Sequence, residues 1–143
     1  MNAAGRSLVQ AVPLVAIDDV VACEGDGHVD IVATAPIRAN EPYLAGHYPG
    51  RPIYPGVFVI EAVRQSLARY LEGQAARRGE LWLEDIESVH FSAPLFPPET
   101  LRLAGRCEVS GTSVCAAFRG VNNAGQVAAR LRARFRWEAT TGD

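Results

Sequence analysis

Two side chains suited to acid/base chemistry, His47 and Glu61, stand fourteen residues apart on segments of very different character. The segment around His47 carries Pro49, Pro52 and Pro55 at every third position. Each proline fixes its own φ and disfavours helix at the residue before it, so the segment is predicted to be an extended strap with little conformational freedom. An imidazole held in one place by such a strap is well suited to act as a general base.

Glu61 lies within an apolar segment that is predicted to form a helix over residues 57–72, with Gly73 as its stop. The first half of this helix is apolar on nearly all sides, which is typical of a buried helix. Glu61 is therefore predicted to be partly buried, where an ionised carboxylate is costly unless it has a partner. A lone glutamate in a helix is more often structural than catalytic, but the strap histidine favours an acid/base pair.

The N-terminus of the predicted helix supplies a third chemical group. The backbone N–H groups of Gly56 and Val57 have no partner within the helix and carry the positive end of its dipole. They are placed to hold a carbonyl oxygen that becomes enolate-like when a neighbouring C–H is deprotonated. We also assign Tyr54 and Gln65, together with Gly56 and Val57, to the substrate-binding surface.

The strap and helix resemble the signature of the 3-hydroxyacyl-acyl-carrier-protein dehydratases of type II fatty acid synthesis, which have the hot-dog fold. The histidine, the proline-glycine turn and the acidic helix residue of that family fall on His47, Pro55-Gly56 and Glu61. A glutamate at the last position matches the branch that only dehydrates, since the dehydratase-isomerase branch carries aspartate there. The resemblance covers about residues 8–137.

The resemblance implies a role for each of these groups. His47 is expected to take the proton beside the thioester carbonyl, Glu61 to protonate the departing 3-hydroxyl, and the Gly56 amide to polarise the carbonyl. In the family the facing histidine and acid come from different subunits, so a homodimer, a heterodimer with a related subunit, or a higher oligomer is implied. An acyl carrier protein with a phosphopantetheine-linked substrate is the implied partner, and no cofactor is implied.

Several positions depart from the family pattern. The flanking motifs are altered, as at Ser92 and Ala93, which indicates a specialised relative in polyketide or polyene assembly. Arg64 stands three residues after Glu61, where the family has a small residue. A cation beside Glu61 would favour the ionised carboxylate, whereas a general acid must hold its proton. We therefore expect Arg64 to point away from Glu61, toward solvent or a carrier protein.

Two alternatives to the dehydratase interpretation are open. Hot-dog thioesterases use a helix carboxylate to activate water, and Glu61 could serve that chemistry. The altered flanking motifs are also compatible with a non-catalytic subunit, or with one that supplies half of the site in a heterodimeric dehydratase.

The composition excludes several other classes. The 143 residues predict one domain, residues 1–143, with frayed ends at 1–7 and 138–143. No apolar run is long enough to span a membrane, and the N-terminal residues are not expected to act as a secretion signal. Cys23, Cys107 and Cys115 have no metal-ligand spacing and are predicted to be reduced, so a cytoplasmic location and no metal are expected. The net charge of −2 argues against nucleic acid as a partner.

The remaining segments predict a single antiparallel sheet. Strands are predicted at residues 14–23, 27–37, 81–93, 99–110, 113–121 and 126–137, with turns at 24–27, 111–112 and 122–125. One long helix inside such a run predicts an α+β fold in which a curved sheet wraps the helix.

The last predicted strand alternates strictly between arginines and apolar residues. The arginines are Arg130, Arg132, Arg134 and Arg136. Such a row is either a solvated strand face or a docking patch for an acidic carrier protein.

Overall fold

The computed structural model describes residues 16–38, 54–75 and 79–140, which form six strands and one helix. The elements are β1 (Val20–Gly25), β2 (His28–Pro36), α1 (Gly56–Ala75), β3 (Gly79–Phe91), β4 (Thr100–Ser110), β5 (Ser113–Val121) and β6 (Val127–Ala139). The four strands that follow the helix lie within two residues of their predicted positions. The first strand begins at Val20, later than predicted.

The six strands form one antiparallel sheet in the order β1-β2-β4-β5-β6-β3. The first strand after the helix, β3, pairs with the last strand, β6, and so becomes one edge of the sheet. The helix packs against the sheet, in contact with β1, β2 and β3. This arrangement confirms the predicted α+β hot-dog fold, with one long helix packed against one antiparallel sheet.

Three glycines make the tight turns between neighbouring strands. Gly27, Gly111 and Gly125 have φ angles of 74°, 63° and 83°, a region that side chains disfavour. The turns at Gly27, Gly111 and Gly125 join β1 to β2, β4 to β5 and β5 to β6, which confirms the three predicted turns.

The core lies between α1 and the inner face of the sheet. The helix buries Val59, Val63, Leu67 and Leu71, a row spaced at four residues, and β6 buries residues from Leu131 to Trp137 at every second position. Each large apolar side chain buried in this way contributes roughly 1.5–3 kcal/mol. Among the described residues there is no helix long and apolar enough to cross a membrane.

Two boundaries differ from the sequence prediction. Gly73 does not stop the helix, which runs on to Ala75. A glycine inside a helix costs only about 1 kcal/mol relative to alanine, so the residue alone does not end it. At the other end of the chain, β6 includes Glu138 and Ala139, which were expected to fray. Residues 1–7 lie outside the described part.

Candidate active site

Glu61 lies in the second turn of α1 with its side chain 32% exposed, which confirms the predicted partial burial. Its carboxylate is bound through both oxygens by Arg64, one turn further along the helix. The Arg64 Nε donates to Oε1 at 2.8 Å and Nη2 donates to Oε2 at 2.7 Å. This two-point geometry is the strong form of a carboxylate-guanidinium pair.

Gln65 adds a third donor to the same carboxylate. Its Nε2 donates to Glu61 Oε2 at 2.9 Å, while its Oε1 accepts a hydrogen bond from the backbone N–H of Ala16 at 2.9 Å. The two bonds fix the orientation of the amide and connect the helix to the segment that precedes β1. The predicted substrate-binding role of Gln65 stays a prediction.

The expectation that Arg64 points away from Glu61 is wrong. Besides its two bonds to the carboxylate, Arg64 donates from Nη1 to the backbone carbonyl of Leu81 on β3 at 3.2 Å. The physical reason is the position of the edge strand β3. Its Leu81 carbonyl accepts a hydrogen bond from the guanidinium, and this bond keeps the Arg64 side chain turned toward Glu61. The guanidinium is thereby held from two sides.

These contacts favour the ionised form of Glu61. The hydrogen bond from Arg64 lowers the pKa of Glu61 below its ordinary value, and the bond from Gln65 acts in the same direction, whereas partial burial opposes both. The same pair raises the pKa of Arg64, with smaller contributions from Glu72 and Glu80.

The N-terminus of α1 is anchored to the segment that follows β3. The Tyr54 N–H donates to the carbonyl of Leu95 at 2.8 Å, and the Phe58 N–H donates to Pro55 at 3.0 Å. Gly56 opens the helix beside the ring of Phe91, and a Cβ added at this position would lie 2.7 Å from that ring. Only glycine therefore fits here without displacing Phe91.

A cavity of about 310 Å³ adjoins this helix N-terminus. Its lining includes Tyr54, Gly56, Val59, Phe91, Leu95 and Ala128. Tyr54 is buried, and its ring meets that of Phe58 edge-on at 5.6 Å, while Val57 is 63% exposed. Within the described residues Glu61 does not line this cavity, because it comes two residues after the lining residue Val59 and so points to a different side of the helix.

A larger open groove of about 660 Å³ lies at the other end of α1, against β1. Its lining includes Cys23, Glu24 and Tyr70, whose hydroxyl donates to Glu24 at 2.7 Å. Burial and the contact with Glu24 raise the pKa of Tyr70 to about 12. None of the predicted site residues that the structure describes lines this groove, so we place the chemistry at the first half of the helix.

His47 lies outside the described residues, and its pairing with Glu61 stays a prediction. The described residues do bring together Glu61, Arg64 and Gln65, and separately Tyr54, Gly56 and Phe91. The sequence prediction missed the contributions of Arg64 and Phe91. The spacing of Arg64 from Glu61 was the available signal for the first, since residues three apart are neighbours on a helix.

One helix packed on a six-stranded antiparallel sheet, with a carboxylate partway along the helix, defines a hot-dog protein. A thioesterase superfamily member from Thermus thermophilus matches with a TM-score of 0.61 at 15% identity, covering 77% of this chain and 81% of that one. A chain of the dehydratase heterocomplex ApeI:P from Xenorhabdus doucetiae matches with a TM-score of 0.56 at 21% identity, covering 83% and 99%. These similarities show the fold.

The sequence narrows the class to a family. Residues 24–132 match the ApeI-like family, described as ApeI dehydratase. A 3-hydroxyacyl-[acyl-carrier-protein] dehydratase FabZ from Wolbachia sp. subsp. Drosophila simulans (strain wRi) is 34% identical over 111 residues, which are 77% of this chain and 73% of the relative. The chain belongs to the ApeI-like dehydratase family and is a dehydratase, which confirms the resemblance read from the strap and helix.

Proposed function

We propose that this dehydratase eliminates water from 3-hydroxyacyl thioesters carried on an acyl carrier protein, giving 2-enoyl thioesters for fatty acid, polyketide or polyene assembly. The observation that carries the proposal is the opening of α1 at Gly56 onto a cavity of about 310 Å³, five residues ahead of a half-buried carboxylate. The activity named for the relatives supports the same substrate class.

Each group has one step in the proposed reaction. His47 takes the proton from the carbon beside the thioester carbonyl, and the backbone N–H of Gly56 stabilises the negative charge on the carbonyl oxygen. The electron pair of the broken C–H bond forms the double bond as the C–O bond breaks. Glu61 gives its proton to the departing hydroxyl, which leaves as water. Proton return from the imidazolium to the carboxylate restores the starting state.

The substrate contacts follow from the geometry of the cavity. Tyr54 lines the cavity and Val57 lies exposed at the helix N-terminus, so both are proposed to contact the acyl chain or its pantetheine arm. Gln65 is proposed to act on the substrate indirectly. Its Nε2 donates a hydrogen bond to the Glu61 carboxylate and so orients the group that contacts the substrate.

A second subunit is proposed to pair with the edge strand β3. Leu83, Ile86, Val89 and Phe91 are paired with buried residues of β6 and so point to the inner face of the sheet, yet they are 38–49% exposed. An apolar strip on an edge strand is a template for pairing with another chain. This strip ends at Phe91, beside Gly56 and the cavity, so the partner would complete the wall of the site.

The carrier protein is proposed to dock on the outer face of β5 and β6. Arg119 and Arg130 stand directly opposite each other across these strands, and Arg132 follows on the same face. Within the described residues these three exposed arginines take part in no ion pair, whereas Arg134 and Arg136 bind Glu84. Like charges placed opposite one another destabilise a sheet, so an acidic surface would be bound favourably here.

The test is a mass-spectrometric assay for loss of water from short 3-hydroxyacyl pantetheine thioesters. We expect His47→Ala and Glu61→Gln each to lower turnover by at least about 100-fold while circular dichroism shows an intact fold, because each removes one proton-transfer group. Glu61→Gln keeps the shape of the side chain, but one accepting oxygen becomes an NH2 group that can neither accept a hydrogen bond nor give up a proton to the substrate. Turnover that survives both substitutions would contradict the proposal.

One observation favours thioester hydrolysis as a second candidate. A carboxylate that activates water must be ionised, and the contacts of Arg64 and Gln65 favour the ionised form of Glu61. The same assay separates the two reactions, because hydrolysis releases free thiol from an acyl thioester without forming the conjugated enoyl product.

A further inference from the structure

Three donors converge on the Glu61 carboxylate, and the strongest is a residue that the proposed reaction does not use. Arg64 binds both carboxylate oxygens at 2.7–2.8 Å, and its remaining nitrogen is fixed by the Leu81 carbonyl of β3. A proton on either oxygen would face a cationic donor and break one bond of the pair. The arrangement therefore favours the ionised form of Glu61 over the protonated form.

We propose that Arg64 is a positioning residue that holds Glu61 ionised in the resting enzyme and thereby sets the upper pH limit of dehydration. The inference rests on the proposed function, in which Glu61 must carry a proton to act on the 3-hydroxyl. The pair has to open, or to lose its charge, before Glu61 can donate. Arg64 thus fixes the orientation of the Glu61 carboxylate, but it also lowers the activity at high pH.

The charged groups around the pair support this assignment. Arg64 is the cation that acts on Glu61 among the described residues, and Gln65 contributes a neutral donor. From the helix and from β3, Glu72 and Glu80 act on the guanidinium and favour its charged form. The opposing influence on Glu61 is its partial burial, which by itself would favour the protonated acid.

The sign of the pH effect follows from the cause of the shift. The protonated fraction of Glu61 falls as the pH rises through its pKa, so a general acid loses activity on the alkaline side. Arg64 lowers that pKa and moves the loss of activity to lower pH. Removing Arg64 leaves burial and Gln65 as the remaining influences, so the alkaline limb should move to higher pH.

The experiment compares kcat profiles between about pH 5 and pH 9 for the wild type, Arg64→Ala, Arg64→Lys and Arg69→Ala. At about pH 8 we expect the absolute kcat of Arg64→Ala to be on the order of threefold higher than that of the wild type, because a larger fraction of Glu61 is then protonated. Arg64→Lys keeps the charge without the two-point geometry and should fall between them. Arg69 lies on the same helix but donates to the Asp18 carbonyl, so Arg69→Ala should follow the wild type.

A second measurement does not depend on activity. Carboxyl ¹³C NMR of protein labelled at glutamate, with the Glu61 signal assigned by its loss in Glu61→Gln, should show a higher titration midpoint in Arg64→Ala. An unmoved midpoint overturns the inference whether or not the chain dehydrates anything. A raised midpoint without a shifted alkaline limb overturns the link to turnover. A raised midpoint in a chain that releases no water from any substrate contradicts the proposed function instead and leaves the ionisation assignment standing.

Discussion

At the scale of single residues, the behaviour of Glu61 is decided by neighbours within two turns of it. Its lowered pKa means that the network with Arg64 stabilises the fold above the ordinary carboxyl pKa, and that this contribution is lost as the pH falls through the folded value. Because both side chains are about one third exposed, solvent screening limits the contribution to the order of 1 kcal/mol. The network therefore matters more for the chemistry of the acid than for stability.

Gly56 offers a second prediction at this scale. A Cβ at position 56 would lie 2.7 Å from the ring of Phe91, so Gly56→Ala must displace that ring and narrow the approach to the backbone N–H. We expect turnover to fall by at least about tenfold with the helix retained, since an oxyanion donor that the substrate carbonyl cannot approach loses much of its effect. Steady-state kinetics on a short thioester, with circular dichroism for the fold, measure both quantities.

The matched control is Gly73→Ala on the same helix, where a Cβ meets no atom within 4 Å. That substitution should leave kinetics unchanged and raise stability by roughly 0.5–1 kcal/mol. The double variant Gly56→Ala/Phe91→Ala relieves the clash and should recover part of the lost turnover. Full activity in the single Gly56→Ala variant would show that the space beside Phe91 has no catalytic importance.

At the scale of the elements, the strands could be predicted from the sequence because their signals are local. Strict alternation in β6 and glycines at the turns depend on neighbouring residues alone, and these elements are confirmed nearly to the residue. The predicted end of α1 was wrong because a single glycine such as Gly73 costs a helix only about 1 kcal/mol and does not stop it. Local sequence signals therefore predict whether a segment is helix or strand more accurately than they predict the residues at which it begins and ends.

The long-range features of the site could not be predicted in the same way. The contact of Gly56 with Phe91 and the bond from Arg64 to Leu81 both depend on where β3 lies after the chain has folded back. Nothing local in the sequence specifies that β3 forms the edge beside the helix N-terminus. The spacing could place Arg64 near Glu61, but the direction of its side chain depended on a carbonyl seventeen residues away.

The edge strand β3 carries its own prediction. Ile86 is 38% exposed on the inner face of the strand, and Ile86→Glu places a charge in the proposed subunit seam. We expect the variant to shift toward monomer and to lose activity together with the association. Multi-angle light scattering after gel filtration measures the mass.

Val21→Glu is the control, because Val21 is 67% exposed on β1 at the opposite edge of the sheet. It should leave the mass of the wild-type assembly unchanged. If the wild type is already a monomer, pairing through a second copy is contradicted, and a related subunit becomes the partner to add to the assay.

At the scale of the whole molecule, the arginine row divides into two parts that the sequence alone did not distinguish. Arg134 and Arg136 lie within reach of Glu84, which projects from the irregular pairing of β3 with β6. Arg119 comes from a different strand and stands opposite Arg130, so the positive cluster crosses strands and does not simply follow β6. The docking prediction thereby narrows from the whole row to its beginning, together with Arg119.

Charge reversal tests that surface. Arg130→Glu/Arg132→Glu should raise the KM for a carrier-bound substrate by about tenfold and leave the kinetics of a short pantetheine thioester unchanged, because only the carrier contacts this face. The effect should weaken as salt is added. Arg134→Glu/Arg136→Glu is the matched pair and should change the KM less, since Glu84 already balances those charges. Equal effects from both pairs would indicate a general loss of positive charge and no specific surface.

The two borders of the sheet are unequal, and this limits how the protein can assemble. Among the residues that the structure describes, the β1 border is six residues long, and its Glu24 accepts a hydrogen bond from the hydroxyl of Tyr70 on the helix. Short border strands with engaged charged groups recruit further strands poorly. If subunits associate through β3, each added subunit exposes only its short β1 strand at the opposite edge. We therefore expect the assembly to close after a few subunits instead of extending into a filament.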